Sequence, residues 1–428
     1  MQHIIKEDLL HYVWKTKQID IENLTSTEGH TVTIQEWGNH NHDSGPDFFN
    51  GKVIVDGILW AGNIEMHIYS SDWEKHSHEC DSAYDNVVLH VVYEEDKPIY
   101  NHEEKRIPCI ELKDRIAEPL KQNYGKLLQS TYTIPCEAVI GKVDPLTVSM
   151  WKSRLIAERL EEKARYTKTF LVDYNQDWET AFYITLCRYM GARVNTEPFE
   201  ALAKNLPLHI LHKNKDDLHK VESLIYGVSG MLEVNYTDEY FINLKSEWKF
   251  LSKKYALSNI PPVMWKFSKM RPPNFPTVRL AQLAQILGKH PTIFAMMLDE
   301  TEPTKLREIF EVTASTYWDQ HYRFDTISKE ERAKSLTSSF IDLILINVVS
   351  PVLFLYGLEK GQPEYGERAI NLLETLTSEK NSVISKWKSL GISSDTALDS
   401  QSLIHLKSKY CDHKKCLSCN IGNKIVLL

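Results

Sequence analysis

The sequence has no uninterrupted apolar run of membrane-spanning length. Its most apolar segment, Phe340 to Gly357, is broken by Asp342, Asn347 and Pro351, so it reads as a buried helix or helix pair. There is no excess of positive charge. Against 58 Asp+Glu stand 50 Lys+Arg, a net −8, which excludes a histone-like binder and leaves room for a local basic patch. No fixed-period repeat is present. Glycine and proline number 17 each in 428 residues, an ordinary share that excludes collagen-like and low-complexity chains. The N-terminal stretch MQHIIKEDLLHYVWKTK lacks the clean apolar core of an export signal. The expected location is therefore the cytoplasm, with no membrane association.

What is present is enough chain for two or three domains. The first third reads as α/β. Residues 5–16 place Leu9, Leu10, Val13 and Trp14 on one helical face. Thr31 to Trp37 alternates like a strand. GKVIVDGILWAGNIEMHIY reads as two strands joined at Asp56-Gly57, a dipeptide that accepts the positive φ of a tight hairpin. Ser71-Asp72-Trp73-Glu74 fits a capping box opening a short helix to about Asp81. Asn86 to Glu94 is nearly all apolar and β-branched, as in a central strand buried on both faces. After Pro135 the pattern turns helical, with helices expected at 147–166, 176–190, 217–226, 242–256, 277–288, 305–315, 339–358, 367–376, 380–389 and 400–410. Gly191, Gly227, Gly357 and Gly391 stand where helices would stop. The expected fold class is α+β. A nuclease-like α/β domain with a mixed central sheet spans residues 1–130. A larger, mostly α-helical region spans 131–428, with a cysteine-rich end at 405–428.

Chemistry gathers in the segment from Asn39 to Val92. Asp47 follows Gly45-Pro46, and Glu65 and His67 lie two apart on a strand, so they share a face. Two carboxylates and a third polar group suit Mg²⁺ or Mn²⁺ and a phosphodiester. Pro46-Asp47, seventeen residues, then Glu65-Met66-His67 resembles the PD-(D/E)XK nuclease superfamily. The resemblance implies a helix-strand-strand-strand-helix-strand core and metal-dependent cleavage of nucleic acid. His67 stands where that superfamily has lysine; histidine could donate to a phosphate or move a proton. Asp72, His76, His78 and Asp81 follow closely. On a helix His76 and His78 would face apart, so one metal held by both needs a loop. His76 and His78 are expected to assist catalysis beside Asp47 and Glu65. His40 and His42 are lesser candidates of the same kind.

Seven cysteines, an odd number without an export signal, argue against a disulfide framework. Cys411, Cys416 and Cys419 have C-x₄-C-x₂-C spacing, which suits an iron–sulfur cluster or zinc. A fourth ligand would be His413 or the distant Cys136. With Cys136, the set resembles the iron-staple exonucleases of the RecB type, in which one early and three late cysteines clamp the chain ends. Cys80, Cys109 and Cys187 read as core residues. Residues 265–290 carry Lys266, Lys269, Arg271, Arg279 and Lys289 without an acid, interleaved with Trp265, Phe267 and Phe275. Lys266, Lys269, Arg271 and Arg279 are the candidate nucleic-acid contacts.

GPDF at 45–48, GNIEMH at 62–67, SDW at 71–73, HSH at 76–78, DSAYDNVVLH at 81–90, RPPNFP at 271–276 and the ending Tyr410 to Gly422 resemble the bacterial family called domain of unknown function 2851. That resemblance implies a cytoplasmic protein and brings no substrate or catalytic residue with it. The functional expectation stays with the residues: a metal-dependent phosphodiesterase acting on nucleic acid. The alternative is a non-catalytic nucleic-acid- or protein-binding scaffold with a structural metal.

Overall fold

The computed structural model describes residues 5–428. The first four residues of the stretch read against an export signal lie outside it. The chain divides into two compact units. Unit 1 holds residues up to Trp151, Ser389–Gly391 and Ile404–Leu428; unit 2 holds Lys152–Lys388 and Ile392–Leu403. Residues 131–151 and the cysteine-bearing end, grouped by sequence with the helical region, therefore lie in unit 1.

Unit 1 opens with α1 (Glu7–Lys15). Its apolar residues Leu9, Leu10, Val13 and Trp14 are fully buried, and Glu7 and Asp8 suit the positive end of the helix dipole. Strands β1 (Val32–His40), β2 (Phe48–Val55) and β3 (Ile58–Tyr69) form an antiparallel meander. Asp56 (φ 47) and Gly57 (φ 81) make the β2–β3 turn with both residues left-handed, as the hairpin reading expects. Next come α2 (Asp72–Lys75) and two short 3₁₀ turns. Then β4 (Val87–Glu94) and β5 (Cys109–Glu111) add in parallel, giving a five-stranded mixed sheet in the order β1-β2-β3-β4-β5. The first six residues of β4 are buried. At Gly62 a Cβ would meet the Asn86 carbonyl oxygen at 2.4 Å, so only glycine lets β3 meet the start of β4. Helix α1 packs against β3.

The capping box at Ser71 does not form. Ser71 is itself helical (φ −62, ψ −13) and makes no side-chain cap. The Asp72 carboxylate instead turns back to accept from the Tyr69 N–H at 3.0 Å. The helix ends after one turn, because Ser77 adopts a left-handed backbone (φ 61).

Unit 2 is helical around one apolar core. Its helices include Trp178–Met190, Leu218–Val228, Glu239–Tyr255, Pro276–Lys289 and Pro363–Thr375. Two of the expected stop glycines lie inside helices. At Gly227 a Cβ would strike the Trp248 ring at 2.1 Å, and at Gly357 the Gln362 carbonyl at 2.8 Å, so each serves close packing rather than termination. The helix expected at 305–315 spans only Pro303–Glu308. Beyond it the backbone bonds elsewhere: Ala314 N–H donates to the Lys334 carbonyl and Leu336 N–H to that of Val312. The most apolar segment forms one run of helix, Ser338–Lys360, interrupted by a π turn at Leu345–Val349. It is long and apolar enough to cross a membrane, and 67% of its most apolar part is buried. Here it is a core helix.

Candidate metal centre

Asp47, Glu65 and His67 meet where β2 begins and β3 runs toward its end. The β2–β3 register shifts between Phe48 and Gly51, with Asn50 left-handed at φ 59. This irregularity brings Asp47 against the middle of β3. Its Oδ2 accepts from the Met66 N–H at 2.9 Å, and its own N–H donates to Glu65 Oε2 at 3.1 Å. Parallel pairing sets His90 of β4 opposite Glu65, on the same face as His67.

Three more imidazoles complete the cluster. The left-handed turn at Ser77 folds His78 back beside His76, with ring centroids 5.3 Å apart. This is the loop that joint use of both histidines requires. His67 Nε2 lies 3.1 Å from His76 Nδ1, and His67 Nδ1 lies 2.9 Å from His90 Nε2. Glu65 Oε1 lies 3.2 Å from His78 Nε2 and 3.6 Å from His67 Nε2. One ligand atom from each of His67, His76 and His78 falls within 4.8 Å of the others. Two donors bound at ~2.0–2.1 Å to one ion sit roughly 3.0–3.4 Å apart, so these separations fit a shared cation. His78 Nε2 is buried and, beside its approach to Glu65, makes no hydrogen bond of sound geometry. Behind the cluster, buried Trp73 meets His78 and His90 edge-on at 5.4 Å each, while Tyr84 stacks on His78 at 3.7 Å.

The electrostatics follow from burial. Glu65 is 4% exposed. That burial, and then the Asp47 carboxylate, push its carboxyl well above the ordinary carboxylate range. Burial and the surrounding imidazoles hold His67 and His90 far below the ordinary histidine range, so both rings are neutral. A neutral ring is the ligand form of histidine.

Two residues that the sequence did not bring forward face the site from α1. His11 Nε2 lies 3.2 Å from Asp47 Oδ2. Burial works against its charged form, but the Asp47 carboxylate, with Glu7 and Glu65 behind it, outweighs this and raises its pKa. Glu7, four residues before His11, is itself raised by burial and by Asp47. The signal was a polar i, i+4 pair flanking the apolar stripe of α1. His90, hidden in an apolar strand, left a similar lone-polar signal.

Other expected residues are employed elsewhere. Asp72 binds Tyr69 N–H and Lys75, and Asp81 caps the Ala83 N–H. His40 and His42, 4.4 Å apart, line a cleft of about 640 Å³ with Lys15, Lys17, Trp37 and Phe48. In unit 2, Lys266, Lys269 and Arg271 are exposed. Arg279 is not available to nucleic acid. It is buried, donates to Gln282 and Asn274, and lies 3.6 Å over the Phe340 ring. The interleaved aromatics are also committed. Trp265 is buried with its N–H on the Ser229 carbonyl, and Arg323 covers Phe267 and Phe275. In unit 1, Cys136, Cys411, Cys416 and Cys419 lie within electrostatic reach of one another, while His413 is exposed. Cys109 and Cys187 are buried as expected of core residues; Cys80 is exposed and is not one.

No curated protein and no solved structure matches the chain. A family match does exist, over residues 7–382, and it includes every residue of the histidine and carboxylate cluster. The chain belongs to the family described as "Protein of unknown function (DUF2851)".

Proposed function

We propose that unit 1 is a metal-dependent phosphodiester hydrolase acting on nucleic acid. The observation that carries this reading is the convergence of Asp47, Glu65, His67, His76 and His78 where β2 begins and β3 nears its end, with ligand-like separations. The order helix, three antiparallel strands, crossover and parallel strand also supports the nuclease-like comparison. Glu65 Oε1 and the nitrogens of His67, His76 and His78 would hold the ion. An imidazole-rich set favours Mn²⁺ or Zn²⁺ over Mg²⁺, which prefers oxygen. When bound, such an ion polarises a phosphodiester and acidifies an attacking water.

The chain's own groups take the remaining work. The Met66 N–H fixes the Asp47 carboxylate in place. His67, neutral and 1% exposed, acts as a ligand rather than as a substitute for a cationic lysine. His90 orients it from behind, as outer partners of ligating histidines do. The proton donor is His11, whose pKa the neighbouring Asp47 carboxylate raises against burial and whose Nε2 lies beside Asp47, placed to hand a proton to a departing oxygen. Lys15 and Lys17 in the adjoining cleft offer charge to strand phosphates.

The test is incubation of the purified full chain with single- and double-stranded DNA or RNA and Mn²⁺, Zn²⁺ or Mg²⁺. Cleavage by the wild type, lost in Asp47→Ala, is expected; cleavage undiminished in Asp47→Ala removes this assignment. The burial of Glu65 and His67 also supports a second reading, a scaffold with a purely structural ion. That reading predicts metal-dependent binding without turnover.

A further inference from the structure

We propose that Cys136, Cys411, Cys416 and Cys419 form a second metal site in unit 1, a four-thiolate centre for zinc or an iron–sulfur cluster. This site is independent of the hydrolase reading and lies outside its residues.

Folding brings these four within electrostatic reach of one another in unit 1 from positions 275 residues apart (411 − 136). The turn carrying Cys136 is closed by Val139 and Ile140 N–H groups on the Cys136 carbonyl. The 3₁₀ turn that follows it, Ile140–Lys142, packs on the C-terminal helix Asn420–Val426. Pro135, Ala138 and Val139 share a cavity wall with Ile425 and Leu428. From the other side, Lys414 Nζ donates to the Leu128 carbonyl at 2.5 Å, and Trp151 meets Tyr410 edge-on at 5.4 Å. The loop from Cys416 to Gly422 is drawn tight. A Cβ on Gly422 would sit 2.1 Å from the Cys416 carbonyl oxygen, so only glycine fits there.

A second observation points to a ligand. The Ile421 and Gly422 N–H groups are directed at the Cys419 sulfur. So is the indole N–H of Trp151, which is buried and has no partner within strict hydrogen-bond geometry. Burial raises the Cys419 pKa on balance, and these donors work against it by favouring the anionic, metal-binding form. Burial, and then the neighbouring sulfurs, opposes ionisation of Cys136, Cys411 and Cys416 while no cation is beside them. None is in a disulfide. A bound cation removes that conflict, each sulfur releasing its proton to solvent as it bonds the metal. Soft thiolates select zinc and iron–sulfur clusters over Mg²⁺ or Ca²⁺. Cys136 rather than His413 is the fourth ligand, because His413 points to solvent.

The test uses the full chain. Iron, zinc and acid-labile sulfide are measured, and the metal is exchanged for Co²⁺ to read the sulfur-to-cobalt charge-transfer band. The samples are wild type, Cys136→Ser, the His76→Ala/His78→Ala double variant and Cys80→Ser. The band is expected in wild type, in the double histidine variant and in Cys80→Ser, and is expected to be lost in Cys136→Ser. The histidine variant keeps this result separate from the hydrolytic centre. Iron with sulfide and visible colour identifies a cluster, and zinc without sulfide identifies the mononuclear form; either supports the site. If Cys136→Ser does not fold, alkylation of wild type decides. Four thiols should become reactive only after chelation. A wild type with no charge-transfer band and no chelator-dependent thiols overturns the proposal.

Discussion

Asp47 and Glu65 are interlocked through the backbone. The Asp47 N–H donates to Glu65 Oε2 at 3.1 Å, and Asp47 Oδ2 accepts from the Met66 N–H at 2.9 Å. Two carboxylates are thus held together in a largely buried place, an arrangement that costs stability until a cation arrives. Glu65→Gln should therefore raise the melting temperature of the metal-free protein. The same substitution should abolish the extra stabilisation that added Mn²⁺ or Zn²⁺ gives the wild type. Differential scanning fluorimetry with and without metal measures both. A metal-free Glu65→Gln protein that melts below wild type contradicts the strained-pair account.

Ser77 sets the direction of His78 by its left-handed backbone, φ 61. Glycine adopts that conformation freely, and a β-branched residue does so at a cost of roughly 1–3 kcal/mol. Ser77→Gly should keep wild-type metal affinity, whereas Ser77→Val should weaken it, read by calorimetric titration. Equal affinities in the two variants would show that the turn does not position His78.

Arg279 holds the helix Pro276–Lys289 to its surroundings through Asn274 and Phe340, and also donates to Gln282 of the same helix. Arg279→Ala removes a buried donor set and should destabilise the protein by about 2–5 kcal/mol. Lys266→Ala, Lys269→Ala and Arg271→Ala, at exposed positions, should stay within about 0.5 kcal/mol of wild type. Urea unfolding separates the two groups. An Arg279→Ala variant as stable as the three surface variants sinks the structural assignment.

Lys163 supplies a pH test in unit 2. Burial, followed by the neighbouring Arg159, lowers its pKa to about 8 from the ordinary 10.5. The folded state gives up this proton near pH 8, while the unfolded chain keeps it to about 10.5. Between those values the unfolded state binds more protons, so this group's contribution to stability rises with pH. Relative to Lys163→Met, wild type should gain stability from pH 8 to pH 10.5. A parallel pair of stability curves over that window contradicts it.

Elements whose pattern is local were legible in the sequence. The apolar stripe of α1, the Asp56-Gly57 hairpin and the continuous apolar run of β4 each announce themselves within a dozen residues. The His76-x-His78 pair was legible as needing a loop, and Ser77 provides it. Gly227 and Gly357 misled because their reason is a distant neighbour, Trp248 and the Gln362 backbone. The capping box failed because the Ser71 N–H donates to Asp96 and Glu74 pairs with Lys97, both partners distant in sequence. Glu7, His11 and His90 escaped notice because only folding places α1 and β4 against β3. Arg279 looked like a phosphate contact because charge is visible in a sequence and burial is not.

The central claim is that Glu65 and the three histidines hold an ion that cleaves phosphodiesters. Its most direct test is the initial rate of cleavage of a labelled single strand against Mn²⁺ or Zn²⁺ concentration, for wild type, His78→Ala and Glu65→Gln. The account predicts a saturable metal dependence in wild type. Each ligand variant should lose more than the roughly 10–100-fold typical of removing an outer-shell partner. Equal rates in all three proteins, or a wild-type rate indifferent to chelation, would contradict it.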